Sequence, residues 1–336
     1  MRYAIVTYKD TDWIRGIAET LDEELNVHYI KGRNGDLTLL NREFESIQDQ
    51  YESIIRFGGY GGYYPNAKFE YNHKNAIKLA SDKLKARKTM IDDMIPCPKT
   101  YSRDEIVSMN WSRIDYPIIQ RNIKHHGGRD VTVINSASEL EESLYHSDYD
   151  IYFSEFYPKS KEFRVHVASG KAIIVAEKLV PEEMEDEVVW NLNDNGVCHD
   201  FNTYRWSEYR QIEEVITTAS LAVRSLGLDY GAVDVVAYPK EREEYLPPCA
   251  VLEVNTAPRL EEYGISRYAQ YFKWLFMHSH KRAEYTLPHE LNRFSFTNDD
   301  FEQEYDRLEN MEVSEDSENI TDRLSIAVDD FADAFS

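Results

Sequence analysis

Three residues with hard oxygen side chains, Asp234, Glu253 and Asn255, stand inside two short apolar runs, Gly231-Ala232-Val233-Asp234-Val235-Val236 and Val251-Leu252-Glu253-Val254-Asn255. Both runs have the character of buried strands, where an unpaired carboxylate is costly. Something positive must accompany these oxygens. Side chains alternate faces along a strand, so Glu253 and Asn255 share one face while Leu252 and Val254 take the other. The polar, proline-containing segment 239–248 reads as a surface hairpin connection, which makes the two strands neighbours and lets the three oxygens converge. The cation that suits this set is magnesium, or manganese in its place. It takes one or two carboxylates and fills its octahedron with water and phosphate oxygens, so a nucleotide is the natural remaining ligand. The alternative is a set of polar residues at strand ends, capped by backbone donors.

Leu226-Gly227-Leu228-Asp229-Tyr230-Gly231-Ala232-Val233-Asp234 with Leu252-Glu253-Val254-Asn255-Thr256-Ala257-Pro258 resembles the metal-binding end of the ATP-grasp superfamily, the ATP-dependent carboxylate-amine ligases. Glu162-Phe163-Arg164-Val165-His166-Val167, preceded by Tyr152-Phe153-Ser154-Glu155-Phe156-Tyr157-Pro158, resembles the nucleotide hinge and central strand of that group. Within it the chain is most similar to phage and bacterial ligases related to the ribosomal-protein glutamate ligases and, more distantly, to D-Ala-D-Ala ligase. The match runs from about residue 81 to 271.

The resemblance implies an α/β (α+β) fold with a small amino-terminal βαβ domain on the substrate side, residues 1–80. Two α+β lobes clamp ATP: 81–154 with a glycine-rich loop, and 155–295 with the metal site. It also implies roles. Lys83 and Arg121 reach the ATP phosphates, and the amides of the loop containing Gly127 and Gly128 cover them. The backbone around Glu155, Phe156 and Tyr157 meets the adenine edge, and Glu162 takes the ribose hydroxyls. Arg164 steadies the transferring phosphate, and Glu177 and Lys178 enter the same cleft. With Arg121, Arg164 and Lys178 are the candidate catalytic residues. The implied reaction joins a small-molecule or peptide carboxylate to an amine through an acyl phosphate, with ATP and Mg2+ as cofactors. Arg56 and Arg259 are candidate substrate contacts. Two positions depart from the family pattern: Asn191 lies where an arginine is expected, with Arg205 downstream, and Arg259 stands where many relatives have glycine. Arg121 holds the strand position of the family's phosphate-binding lysine, as arginine does in the phage-like relatives.

Read without the resemblance, several of these residues have plainer accounts. Lys83 is one of three lysines on a polar helix face, with Lys85 and Lys88, and Arg56 is equally an ordinary surface arginine. His125 and His126 are adjacent, so they point apart on extended chain, and no third nitrogen or sulfur ligand accompanies them. They read as loop residues near phosphate.

The elements that must position these groups are legible in outline. Residues 2–9 alternate as a strand, 11–25 form a helix capped by Thr11 or Asp12, 26–31 form a second strand, and 53–57 end a third. Gly58-Gly59-Tyr60-Gly61-Gly62 follows, with the wrong spacing for a dinucleotide fingerprint. A helix capped by Ser81 or Asp82 runs to about Met94, where Ile95-Pro96-Cys97-Pro98 forces extended chain. Strands follow at 116–122, 151–156, 162–167 and 171–179.

The net charge of −23 over 336 residues is uneven. Residues 299–336 hold fourteen acidic side chains against Arg307 and Arg323. Such a block reads as a solvated extension, and Ile320, Leu324, Ala327, Val328, Phe331 and Phe335 recur at helical spacing within it. Residues 296–336 are thus an acidic tail, partly disordered or an amphipathic helix, that can meet a protein partner. Three scattered cysteines, Cys97, Cys198 and Cys249, suggest neither a disulfide framework nor a zinc knuckle. The start reads as a strand rather than a leader, and no apolar run approaches the roughly 20 residues of a membrane helix. The expectation is a cytoplasmic protein, in a bacterial host if phage-encoded, with neither membrane nor nucleic acid as partner. A different class also accommodates the sequence: a non-catalytic nucleotide-binding scaffold using 24 tyrosines and the acidic tail for contacts. An acidic mimic of nucleic acid accounts for the tail and leaves the oxygen triad unexplained.

Overall fold

The computed structural model describes residues 3–33, 36–43, 45–47, 50–59, 66–123, 131–146, 150–157, 161–178, 201–203, 212–237 and 249–278. All lie in one compact unit, Met1–Ala283.

The first sheet is built from β1 (Tyr3–Thr7), β2 (Val27–Arg33), β3 (Asp36–Leu39), β4 (Gln50–Phe57) and β5 (Asn66–Tyr71), in the order β3-β2-β1-β4-β5. All neighbours are parallel except β2 and β3, as βαβ crossovers require. The helix α1 (Asp12–Leu25) forms the first crossover and buries Ile14, Ile17, Ala18 and Leu21, one stripe at helical spacing. Thr11 occupies its N-cap in extended conformation but makes no side-chain cap bond, and left-handed Asn26 ends it. The short β3 is not foreshadowed by sequence periodicity, so the strand expected third is the fourth.

Two helices follow, α2 (Lys74–Ser81), which the sequence pattern did not mark, and α3 (Lys83–Asp92). Asp82 caps α3 by accepting from the Lys85 amide at 3.1 Å. The second sheet contains β6 (Thr100–Ser102), β7 (Ile118–Asn122), β8 (Val131–Ile134) and β9 (Ile151–Glu155), ordered β6-β9-β7-β8 and antiparallel. The helices α4 (Arg103–Ser108) and α5 (Ala137–His146) bury Ile106, Leu140 and Leu144 with Ile118, Ile134 and Phe153 of its strands.

The third sheet, order β12-β11-β10-β13-β14, contains β10 (Lys161–Ala168), β11 (Lys171–Lys178), β12 (Phe201–Thr203), β13 (Tyr230–Ala237) and β14 (Cys249–Asn255), all antiparallel. One face carries Phe163, Val165, Val167, Val233, Val235 and Val251 into a core shared with α2, α3 and α6 (Ile212–Ser225). That face is covered, so the alternate residues of the same strands form the other. Finally α7 (Glu262–Met277) returns to α1 and buries Tyr268, Phe272 and Phe276 with Ile5, Ile17 and Phe57 of the first sheet's layer.

Candidate functional site

The other face of the third sheet, part of which packs on α7 through His166 and Tyr268, concentrates charge. Arg164 of β10 lies opposite Asp234 of β13, which lies opposite Glu253 of β14, a single row across three strands. Asn255 follows on the same face as Glu253, opposite Ala232. The three oxygens foreseen from spacing therefore meet.

Cations interleave with them. Arg164 donates through Nε to Asp234 Oδ1 at 2.7 Å and through Nη2 to Oδ2 at 2.8 Å, a bidentate fork. Lys178 Nζ pairs with Glu162 and stands 3.6 Å from Asp234 Oδ2; all three side chains are buried. Lys83, at the first turn of α3, places Nζ 3.1 Å from Glu253 Oε2, and Asn255 Nδ2 donates to Glu253 Oε1 at 2.9 Å. Burial raises the Glu253 carboxyl. Against it, the Lys83 charge, the hydrogen bonds from Asn255 and Lys83 and the charge of Arg121 hold it well below the usual carboxylate range. For Arg164, burial opposes the charge, but Asp234, Glu253 and Glu162 outweigh it and raise its affinity for the proton. Arg121, at the end of β7, keeps its Nε buried without a hydrogen-bond partner among the described residues.

Among the described residues the cluster holds three carboxylates, Glu162, Asp234 and Glu253, and four cations, Lys83, Arg121, Arg164 and Lys178. It is net positive, as a site for a polyanion should be. The described residues contain no group of three His, Cys, Asp or Glu arranged for a metal. The oxygen donors that are present, two opposed carboxylates and one amide, fit a cation that needs few protein ligands, and each carboxylate oxygen keeps lone pairs beyond those used by Arg164 and Lys83.

Other expected residues fall as follows. Glu155 pairs with Lys99 at 3.1 Å, its amide donates to the Lys99 carbonyl and the Phe156 amide to the Pro117 carbonyl, while Tyr157 ends the described segment. Glu177 does not join Lys178 in the cleft. Adjacent strand residues face apart, and Glu177 turns to the opposite side to pair with Lys161 at 2.6 Å. Arg56 is buried at the end of β4 and bound to Glu70 at 2.6 Å. Arg259 is exposed. Gly127, Gly128, His125, His126, Asn191, Arg205, Cys198 and the acidic tail lie outside the described residues. Burial pushes the thiol of Cys97 up to about 12 and that of Cys249 up to about 11, so both hold their protons near neutral pH.

Three contributors were given no role by the sequence. His166 lies on the charged face one alternation from Arg164; burial and then the Arg164 charge lower it to about 3, so it is neutral and meets Tyr268 Oη at 3.0 Å. Asn72, left-handed at φ 54°, receives the amides of Asp229 and Tyr230 on its side-chain oxygen and donates to the Tyr230 carbonyl, pinning the start of β13 to the first sheet. Arg87 follows Lys83 by one helical turn, and that i, i+4 spacing is the only sign of it in the sequence.

No family model matches this sequence, and no curated protein matches it. Solved structures do. PsnB, an ATP-grasp ligase complexed with its minimal precursor, is 15% identical, aligns over 80% of this chain and 98% of its own, and gives a TM-score of 0.54. The RimK-domain ATP-grasp protein of Sphaerobacter thermophilus is 14% identical over 81% of this chain and 98% of its own, TM-score 0.54. The VanG D-Ala:D-Ser ligase of Enterococcus faecalis is 12% identical over 76% and 90%, TM-score 0.56. At such identities the likeness is one of fold, and the fold of this chain is that of the ATP-grasp ligases.

Proposed function

We propose that this chain is an ADP-forming carboxylate-amine ligase of the bacterial and phage type, acting in the cytoplasm on a small-molecule or peptide carboxylate and amine. What carries this reading is the row Arg164-Asp234-Glu253, flanked by Lys83, Arg121 and Lys178, on the charged face of the third sheet. Residues 1–80 are taken as the substrate-side domain, 81–154 and 155–295 as the clamping lobes, and 296–336 as a tail for a protein partner.

ATP is the first substrate. Lys83 and Arg121 neutralise its phosphates, with the unsatisfied Nε of Arg121 supplying a donor that needs an acceptor. Glu162, held by Lys178, presents a carboxylate for the ribose hydroxyls. Asp234, Glu253 and Asn255 would hold magnesium or manganese, which would offset charge on the triphosphate. The substrate carboxylate oxygen attacks the γ-phosphorus, the bond to the β-phosphate oxygen breaks and ADP leaves. On this reading Arg164 and Lys178 are the cations that offset the charge accumulating on the transferred group. The amine then attacks the acyl carbon, inorganic phosphate departs with the carbon-oxygen bond, and the amine gives up a proton. Neutral His166 is sealed against Tyr268 and takes no part in that transfer.

The test is incubation with ATP, Mg2+ and pooled amino acids and peptides, followed by mass spectrometry for ADP and a new amide. Formation of both supports the ligase. Tight ATP binding without turnover in every pool would replace it with a nucleotide-binding scaffold. Deleting residues 310–336 tests the tail: unchanged partner binding, oligomeric state and stability would remove that part of the reading.

A further inference from the structure

We infer that Arg87 is a positioning residue for this site, an inference that rests on the nucleotide reading above. The residue is 3% exposed and has no carboxylate within ion-pairing distance among the described residues. A buried cation without a counter-ion is costly, so its donors must serve something that repays the desolvation. They serve the strand that carries Glu253. Arg87 Nε donates to the carbonyl of Leu252 at 2.9 Å, Nη1 reaches Thr100 Oγ1 of β6 at 3.5 Å, and the guanidinium lies 5.7 Å from the ring centroid of Tyr152 on β9.

The geometry makes this a two-point grip. Lys83 and Arg87 are four residues apart on α3 and share a face, so one helix holds Glu253 by its carboxylate and the preceding residue by its carbonyl. Leu252 is the extra residue of a β-bulge: Asp234 lies opposite Glu253 but Val235 lies opposite Val251, so Leu252 has no opposite number in β13. A bulge re-aims the side chains beside it, and the one beside this bulge is Glu253. Arg87 holds the bulge from outside the ladder. It also joins the strand of the oxygen triad to the sheet that carries Arg121, through Thr100 and Tyr152. Lysine does not reproduce this, because its ammonium on a flexible stem lacks the rigid planar fork that spans the Leu252 carbonyl and the Thr100 hydroxyl and lies by the Tyr152 ring.

The experiment uses the full chain and Mg·ATP as probe, with affinity measured by titration calorimetry. Arg87→Met should weaken binding about tenfold, the worth of one charged hydrogen bond. In the double variant with Glu253→Gln, Arg87→Met should weaken binding no further than Glu253→Gln does alone, because Arg87 acts through Glu253. Arg87→Lys should stay within about threefold of Arg87→Met. Met90→Ala, buried on the same helix and outside the site, should lower the melting temperature and leave affinity unchanged. Effects that multiply in the double variant, full recovery in Arg87→Lys, or equal weakening in Met90→Ala would each overturn the inference. Amide hydrogen exchange separates it from the reading beneath it. Should the wild-type chain bind no Mg·ATP, the nucleotide reading falls, while faster exchange at 252–255 in Arg87→Met but not in Met90→Ala still supports the grip. Unchanged exchange there overturns it.

Discussion

Arg164 closes both arms of its guanidinium on Asp234 across the β10–β13 pair, and neither side chain is more than 14% exposed. Removing one partner strands the other charge in a low-dielectric site. Asp234→Asn should therefore lose about 3–5 kcal/mol of stability, whereas Asp234→Asn combined with Arg164→Met should recover much of it. Urea denaturation of Asp234→Asn, Arg164→Met and the double variant checks this, and additive losses would contradict it.

Glu253→Gln removes a charge-bearing oxygen from the set with Asp234 and Asn255 and leaves Lys83 without its counter-ion. ADP production should fall by about two to three orders of magnitude, the scale of losing an electrostatic stabiliser where charge develops. The single-turnover rate at saturating Mg·ATP reads it.

His166 is neutral in the folded chain, its proton affinity lowered by burial and by Arg164 to about 3, while in the unfolded chain it titrates near 6.5. The unfolded state binds the extra proton between those values. His166 thus contributes nothing to pH dependence above about 6.5 and costs stability as pH falls from there toward 3, with a slope of about 1 kcal/mol per pH unit. Glu253 works in the same direction. Its carboxyl is held below the ordinary value, so its contribution is present above pH 4.5 and is lost on further acidification. His166→Gln should remove this slope from pH 6.5 down toward 3, leaving below pH 4.5 the dependence due to Glu253, measured by thermal melts across the series.

Gly58 sits at φ 76° with its Cα so close to the loop after β14 that an added Cβ would lie 2.5 Å from the Cβ of Ala257. Gly58→Ala should cost about 1–3 kcal/mol through left-handed strain and this contact together. Pairing it with Ala257→Gly should relieve the contact and leave the strain. Calorimetric melting of both variants separates the two parts.

The glycines at 58–62 illustrate why part of the molecule was hard to read in advance. Their run has the composition of a phosphate loop, yet Gly58 is required because β4 ends against the Asn255-to-Pro258 turn, a contact between segments remote in sequence. The same holds for Glu177 and Lys178. Both are charged strand residues of equal promise, and only the pairing of Phe163 with Glu177 decides that Lys178 enters the cleft. Arg56 keeps its place at a strand end, but its charge is committed to Glu70, a partner on β5 that no local pattern announces.

By itself the sequence determined the faces: a strand's two-residue period is a property of the backbone, so Glu253 must lie with Asn255 and Arg164 with Glu162 and His166 wherever those strands fold. It also determined the start of α3, since an aspartate at position 82 caps through a local hydrogen bond. Only the tertiary structure decided which residues face one another across strands. The row Arg164-Asp234-Glu253 depends on a register and a bulge set by packing against α2, α3 and α6, and the meeting of Lys83 and Arg87 with β14 depends on that same packing. Periodicity is local and holds wherever a strand is regular, whereas register, and the bulge that breaks the period at Leu252, are the outcome of a whole buried face finding its partner.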